Sequence, residues 1–385
     1  GWGRQTSINV CTSVYVNLPG PSLHWSWDAA NGETSMVFFV VSLVVLVLSL
    51  CDYIRDSAIK RLVVLLLLVC LAVFSAFRGL RTDSYFGYDT NNYVIWFDGL
   101  TPFRFSGRSE FGFLFIGSVV KALNADSRAL FLTVSVLTFT FLFLSLERNT
   151  RKPFLTILCY VAFFYYVRDF GQIRAALAYA IVTYGLRFAY DRQFARFLLT
   201  VLVAGSVHNS AFLALPVYMF PKLKLSDRGL FVIVTAALLA FGVQWLGALS
   251  GLLAPLSRFG IVRALLNYTR ASAGVGLDAK RMIVFAIAYL AILFRERFRT
   301  LSPNYDVHLL MLVCGLVLLA LFHESAVLAV RLPEVFLTPI VFIIPLFVYC
   351  VKGKLGKVLV HYLLAAFLYC YNTAIFLSLG HLFYR

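Results

Sequence analysis

The sequence predicts an all-α protein: a polytopic bundle of transmembrane helices with about 12 spans and one re-entrant or interfacial segment. Three observations lead there. Of the 385 residues, 61% are hydrophobic and only 14% are charged, where soluble proteins average about 45–50% apolar and about 25% charged. The mean hydropathy is +0.84. The apolar residues also gather in runs close to the roughly 20 residues that cross a bilayer. No Gly/Ser or Pro-rich linker divides the chain, so residues 36–385 read as one membrane domain. Residues 1–35 read as a polar extension without the basic-then-apolar order of a signal peptide.

In order, the apolar runs cover 36–51, 62–77, 129–146, 154–167, 175–190, 197–220, 230–249, 282–294, 307–322, 332–350 and 358–379. Six of the connections between them are basic: Arg55, Lys60 and Arg61; Arg148, Arg151 and Lys152; Arg187, Arg192 and Arg196; Lys222, Lys224 and Arg228; Arg295, Arg297 and Arg299; Lys352, Lys354 and Lys357. Cytoplasmic loops carry such an excess of Lys and Arg, so all six are placed inside. Two consequences follow. The run 197–220 begins and ends inside, so it must be two half-length segments turning outside near His208-Asn209-Ser210. The piece Phe111–Leu123 cannot cross fully without reversing everything after it, so it is read as re-entrant or interfacial. Both termini then lie outside.

The formal net charge of +16 would suggest a nucleic-acid partner in a soluble chain. Here no such partner is expected, because the charge follows the topology. The seven cysteines lie in or beside apolar runs without CxxC spacing and read as small buried hydrophobes. What the positive-inside rule does not explain is a set of outer arginines: Arg78, Arg81, Arg104, Arg108, Arg168, Arg174, Arg258, Arg263, Arg270 and Arg331. Of nine lysines, only Lys121 and Lys280 lie away from the inner loops. Arginine keeps its charge and grips phosphate with a planar fork. An outer arginine cluster is what a lipid diphosphate requires.

Five stretches carry the remaining chemistry, each with a plain structural alternative. "RTDSYFGYDTNNY" holds Arg81, Asp89 and Tyr93. Asp89 either caps a short surface helix, with Tyr93 an ordinary interfacial aromatic, or both face a ligand. "SEFGFLFIG" puts Glu110 at a helix start, favourable to the helix dipole but also placed for sugar hydroxyls or proton transfer. "VRDFGQIRAALAYA" brings Arg168, Gln172 and Arg174 to an outer loop and the mouth of a span, where an arginine either snorkels or binds. "GSVHNSAFLALP" sets His208 at the break between two half-segments, where irregular backbone at membrane depth must line a cavity or be buried in protein. "HESAVLAVRLPEVF" carries His323, Glu324, Arg331 and Glu334. A helix through it would put Arg331 about two turns past His323, and Arg331 and Glu334 can pair at i, i+3. No metal-ligand spacing, Walker loop or nucleotide fingerprint occurs, so no metal and no cofactor are expected.

At these motifs the sequence resembles the EpsG-type family of bacterial polysaccharide polymerases, a branch of the Wzy-like enzymes. The likeness lies in order and spacing over roughly residues 60–350: Arg81 before "GYD" and Tyr93, Glu110 with "FGF", "IRAALA" around Arg174, "HNSA" at His208, and "AVRLPEVF" with "IIP" around Arg331. The resemblance implies a GT-C-like, inverting, metal-independent glycosyltransferase. Such an enzyme joins undecaprenyl-diphosphate-linked repeat units at the outer face of the bacterial inner membrane, as in O-antigen, capsule or exopolysaccharide synthesis. The implied partners are those lipid-linked glycans, the bilayer, and chain-length-regulator and flippase proteins. Asp89, Glu110, His208, Arg174 and Arg331 become the catalytic candidates. Arg81, Tyr93, Arg168, Gln172, Tyr268 and Arg270 become the substrate-binding candidates. Two rivals stand beside this reading: a flippase for lipid-linked oligosaccharide, and an acyltransferase built on His323.

Overall fold

The apolar runs fold as helices whose starts are fixed by short polar side chains. In this computed structural model, residues 29–78, 80–81, 84–85, 89–105, 110–245, 250–251, 255, 258 and 274–383 are described. Helix α1 (Ala29–Leu48) begins inside the stretch expected to be an unpatterned extension. Helix α2 (Ser57–Ala76) is capped by the Asp56 carboxylate, which accepts from the N–H groups of Ala58 and Ile59. A two-residue antiparallel ladder follows, Leu80–Arg81 with Ser84–Tyr85. Next come α3 (Thr90–Asp98), α4 (Phe111–Ala122) and α5 (Ser127–Asn149), the last capped by Asp126 on Ala129 N–H. At about 1.5 Å per residue α4 is roughly 18 Å long, too short to span. That suits the re-entrant or interfacial reading.

Helices α6 (Pro153–Tyr160) and α7 (Tyr166–Gly171) are joined by one π turn, Val161–Tyr165. The continuous Pro153–Gly171 segment has 89% of its most apolar window buried, against 50% for α5 and 28% for α2. It is therefore the central helix, while α2 keeps a face toward lipid. Helices α8 (Ile173–Tyr190) and α9 (Phe194–Val207) lead to a 3₁₀ segment, Asn209–Lys222. The chain then runs through α10 (Asp227–Ala240), α11 (Ala279–Leu293), α12 (Arg295–Leu301), α13 (Tyr305–Leu321), α14 (Ala326–Arg331), α15 (Glu334–Leu337), α16 (Ile340–Ile343), a second 3₁₀ segment (Ile344–Cys350) and α17 (Lys354–Phe383).

Among the described residues three helices are long and apolar enough to cross a membrane, or four if the Ala326–Leu337 and Ile340–Cys350 pair, bent by 42°, is one span. Elsewhere the apolar runs fold as shorter helical pieces. The run 197–220 breaks at His208, between α9 and the 3₁₀ segment, where two half-length segments were expected to turn. Pro216 and Pro221 deny an α-helix two backbone donors. The segment winds at 3₁₀ pitch instead, and at about 2.0 Å per residue its 14 residues reach roughly 28 Å. Its buried residues are Ala211, Ala214, Val217 and Phe220. Gly205 lets it fold back on α9, since a Cβ there would stand 2.3 Å from the Phe212 ring.

The turn at 322–325 corrects one expectation. Helix α13 ends at Leu321 and α14 starts at Ala326, so His323 and Arg331 do not share a helix. His323 Nδ1 lies 2.8 Å from the Ala320 carbonyl oxygen, and Glu324 Oε1 accepts from the backbone N–H of Trp245 at 2.6 Å. His323 and Glu324 thus hold the turn and the chain beside it.

All six basic loops meet at one end of the bundle through a chain of contacts. Arg61 pairs with Glu147, and Lys152 Nζ lies 3.6 Å over the Tyr53 ring. Arg148 makes a two-pronged bridge to Asp191. Arg192 donates to the Tyr218 carbonyl. Arg295 binds the Leu225 carbonyl, Asp227 and Asp306. The Tyr53 hydroxyl reaches the Lys357 carbonyl. Exposed Asn91 lies on α3, away from these loops, and Leu355, 83% exposed, lies among them. In a cysteine-free background Asn91→Cys is expected to react with a membrane-impermeant maleimide in intact cells, and Leu355→Cys only after lysis. The reverse pattern would invert the topology.

Candidate active site

The site is built where several helices stop. Helix α4 starts against the end of α9 at a contact that only glycine permits. A Cβ on Gly112 would stand 2.4 Å from Ser206 Oγ and 2.9 Å from its carbonyl oxygen. This approach brings Glu110, just before α4, to the α9 break. The Glu110 side chain makes no capping bond to its own helix. Its Oε2 accepts from Arg174 Nη1 at 2.7 Å, and its Oε1 accepts from Asn209 N–H at 3.4 Å. His208 Nδ1 lies 3.5 Å from Oε1, an ion-pair distance longer than a good hydrogen bond. Burial alone would raise the Glu110 carboxyl. His208 and the Arg174 guanidinium outweigh it and hold the group well below the carboxylate range, at about 2. Glu110 is therefore ionised and firmly held. Arg174 also packs 5.7 Å over the rings of Tyr93 and Phe113.

A second wall faces His208 from the other side. Tyr179 on α8 lies edge-on to the His208 ring, centroids 6.2 Å apart, and its hydroxyl is 2.8 Å from Ser210 Oγ. Helix α15 packs against the 3₁₀ segment and brings Glu334 into electrostatic reach of His208, Arg168, Arg331 and Tyr179. Lys280 of α11 faces Glu334 as well. Glu110 and Glu334 thus flank His208, with Arg174 on one side and Arg168, Lys280 and Arg331 on the other. Arg174 is thus paired with Glu110, while Arg168, Arg331 and Lys280 lie in electrostatic reach of Glu334, with Asp169 beside Arg168 and Asp278 beside Lys280.

The motifs that form these two walls run through most of the chain, and a family model covers the same range. The model described as the EpsG family matches residues 64–384. The chain belongs to the EpsG family. No curated protein matches it, and no solved structure matches it.

Within this EpsG-family chain the expected site residues separate into groups. Glu110, Arg174 and His208 are brought together directly. Arg331, exposed at the end of α14, joins them through Glu334; the two form no salt bridge of their own among the described residues. Tyr93 is 6% exposed and edge-on to Phe113 and Phe131, so it floors Arg174 and is not an open stacking surface. Asp89 occupies the N-cap position of α3 but makes no side-chain cap; its Oδ1 accepts from Asn92. Gln172 sits at the α7–α8 break, half-buried, beside Arg174. Arg168 is only 1% exposed, donating to Thr338 Oγ1 at 3.0 Å and the Glu334 carbonyl at 2.8 Å, with Phe164 and Tyr179 against its guanidinium. It braces the second wall from behind. The Arg81 side chain, Tyr268 and Arg270 lie outside the described residues.

Sequence reasoning missed Tyr179, Ser210 and Lys280, and treated Glu334 only as a partner for Arg331. For Lys280 a signal existed, as one of two lysines off the inner loops. Arg78 was read as an outer-face arginine. It is 4% exposed, and its guanidinium closes the end of α7 by donating to the Asp169 carbonyl at 2.7 Å and to the Phe170 carbonyl, stacked over Phe131 and Phe170. Among the described residues no three His, Cys, Asp or Glu side chains converge as a metal site.

The depressed Glu110 carboxyl gives a test. Its folded value of about 2 lies below the ordinary 4.5. Its contribution to stability is therefore present above pH 4.5 and lost as pH falls toward 2. Glu110→Gln is expected to unfold at a lower temperature than the parent protein at pH 7, and the gap should shrink at pH 3. An equal gap at both pH values would mean that the Glu110 charge is not what stabilises this corner.

Proposed function

We propose that the chain is a glycan polymerase that joins undecaprenyl-diphosphate-linked oligosaccharide repeat units at the outer face of the bacterial inner membrane. The observation that supports this most is the convergence of Arg174, Arg168, Arg331 and Lys280 on the two carboxylates beside His208, at the end of the bundle away from the six basic loops. A diphosphate diester carries two negative charges, which guanidinium forks such as those of Arg174 and Arg331 match. In this reading residues 36–385 form one GT-C-like domain of about 12 crossings, several of them made from half-length or bent segments like those around His208.

The chemistry follows from the charge placement. The anomeric carbon of the donor is bonded to the lipid diphosphate. A sugar hydroxyl of a second lipid-linked unit attacks that carbon from the opposite side, inverting it. Negative charge grows on the departing diphosphate, and Arg174 and Arg331, preorganised at the wall, stabilise it there. Glu110 holds Arg174 in position and keeps its fork turned toward the His208 break. No metal enters this scheme, because the guanidinium groups supply the compensating charge. Chain-length-regulator and flippase proteins would act beside such a polymerase.

The test is direct. Membranes from a cell lacking this gene supply the lipid-linked units, and purified protein is added. A ladder of lengthening glycans is expected. Movement of unpolymerised units across the bilayer with no ladder would favour a flippase instead. In the same assay Arg174→Lys and Arg331→Lys are each expected to lower polymerisation by about ten-fold or more, each ten-fold being about 1.4 kcal/mol of barrier. Lysine keeps the charge but not the fork. Near-normal ladders from both variants at matched protein levels would remove these arginines from the diphosphate site.

A further inference from the structure

The polymerase reading leaves open which group takes the proton of the attacking sugar hydroxyl. We propose that Glu334, at the start of α15, is that proton acceptor. This assignment rests on the polymerase reading and deepens it.

The geometry of the two carboxylates beside His208 separates their roles. Glu110 has both oxygens engaged, one by Arg174 at 2.7 Å and the other near Asn209 N–H at 3.4 Å and His208 at 3.5 Å. A carboxylate so held, at about 2, has little affinity for another proton. Glu334 is arranged the other way round. Its backbone is pinned, because its carbonyl oxygen accepts from Arg168 Nη2 at 2.8 Å and from Thr338 Oγ1 at 3.0 Å, and Pro333 precedes it. Its carboxylate takes part in no salt bridge among the described residues and has the Tyr179 hydroxyl as its hydrogen-bond partner. Asp89, at the N-cap position of α3, has its Oδ1 accepting from Asn92.

The surroundings of Glu334 fit a group that must gain and lose a proton. Charged or titratable side chains face it from each neighbouring element: Arg168 from α7, Tyr179 from α8, His208 from the α9 break, Lys280 from α11 and Arg331 from its own side of Pro333. Arg168 and Arg331 offset part of the cost of burying the carboxylate as an anion. The step balances. The acceptor oxygen forms its bond to the anomeric carbon, and the carbon–oxygen bond to the diphosphate breaks with its electron pair on the lipid diphosphate. The hydroxyl proton passes to a Glu334 carboxylate oxygen and later to water. The donor's diphosphate lies between Arg174 and Arg331, and the acceptor hydroxyl lies beside Glu334.

The experiment uses full-length protein in lipid nanodiscs, with deletion-strain membranes as the source of lipid-linked units and undecaprenyl diphosphate as the binding probe. Glu334→Gln is expected to lose about 100-fold or more in turnover, the usual scale for a general base. It should bind undecaprenyl diphosphate within about three-fold of the parent and lose the acid limb of the turnover–pH profile. Glu334→Ala is expected to recover part of its turnover with added formate. Turnover of Glu334→Gln within about three-fold of the parent, with the acid limb kept, would overturn the assignment alone. So would a loss of turnover matched by an equal loss of undecaprenyl diphosphate binding, with no formate rescue, which would mark a binding or structural role. A parent protein that makes no ladder would overturn the polymerase reading and this assignment with it.

Discussion

A helix that stops at membrane depth leaves its last carbonyl groups without water to bind, and several helices of this chain stop close to one another. Each unsatisfied group there would cost several kcal/mol. The chain meets the cost with guanidinium groups. Arg78 closes the carbonyls of Asp169 and Phe170 where α7 ends, and Arg168 reaches across to the Glu334 carbonyl where α15 begins. These two arginines make the irregular region rigid enough to hold a site. Arg174 and Arg331 are left on the open side, one against a carboxylate and the other exposed. The outer arginines are therefore of two kinds, sorted by whether backbone or side chain meets them.

That sorting explains which parts of the molecule could be read from the residues alone. The helices follow from apolar runs, and the break at His208 follows from two basic loops only 24 residues of apolar chain apart in the run 197–220. Topology is a property of segments, so segment composition carries it. The partners of Arg78 and Arg168 are not, because they lie 91 and 166 residues away along the chain. Charge placement tells which end an arginine is near and says nothing of what it touches. The same limit applies to Glu334. Read locally, Arg331 three residues earlier is its natural partner, yet Pro333 divides their helices and no bridge forms. Asp89 shows the converse case: the cap position was legible at α3, but the side chain turns to Asn92.

The two walls around His208 come from opposite halves of the chain, Glu110 and Arg174 from one and Lys280, Arg331 and Glu334 from the other. The 3₁₀ segment lies between them, touching α9 on one side and α15 on the other. Its winding is what keeps both walls in register with His208.

The four buried residues of that segment are spaced by three: Ala211, Ala214, Val217 and Phe220. At three residues per turn they fall in one straight row parallel to the axis. Wound at 3.6 residues per turn, each step of three would fall about 60° short of a full circle, and Phe220 would end about 180° from Ala211. The bulkiest member of the row would then point away from the surface that the alanines touch. The tight winding is thus held by its neighbours as much as by Pro216 and Pro221. Relaxing it would require the row to come off the bundle as a unit, so this segment has no gradual way to loosen.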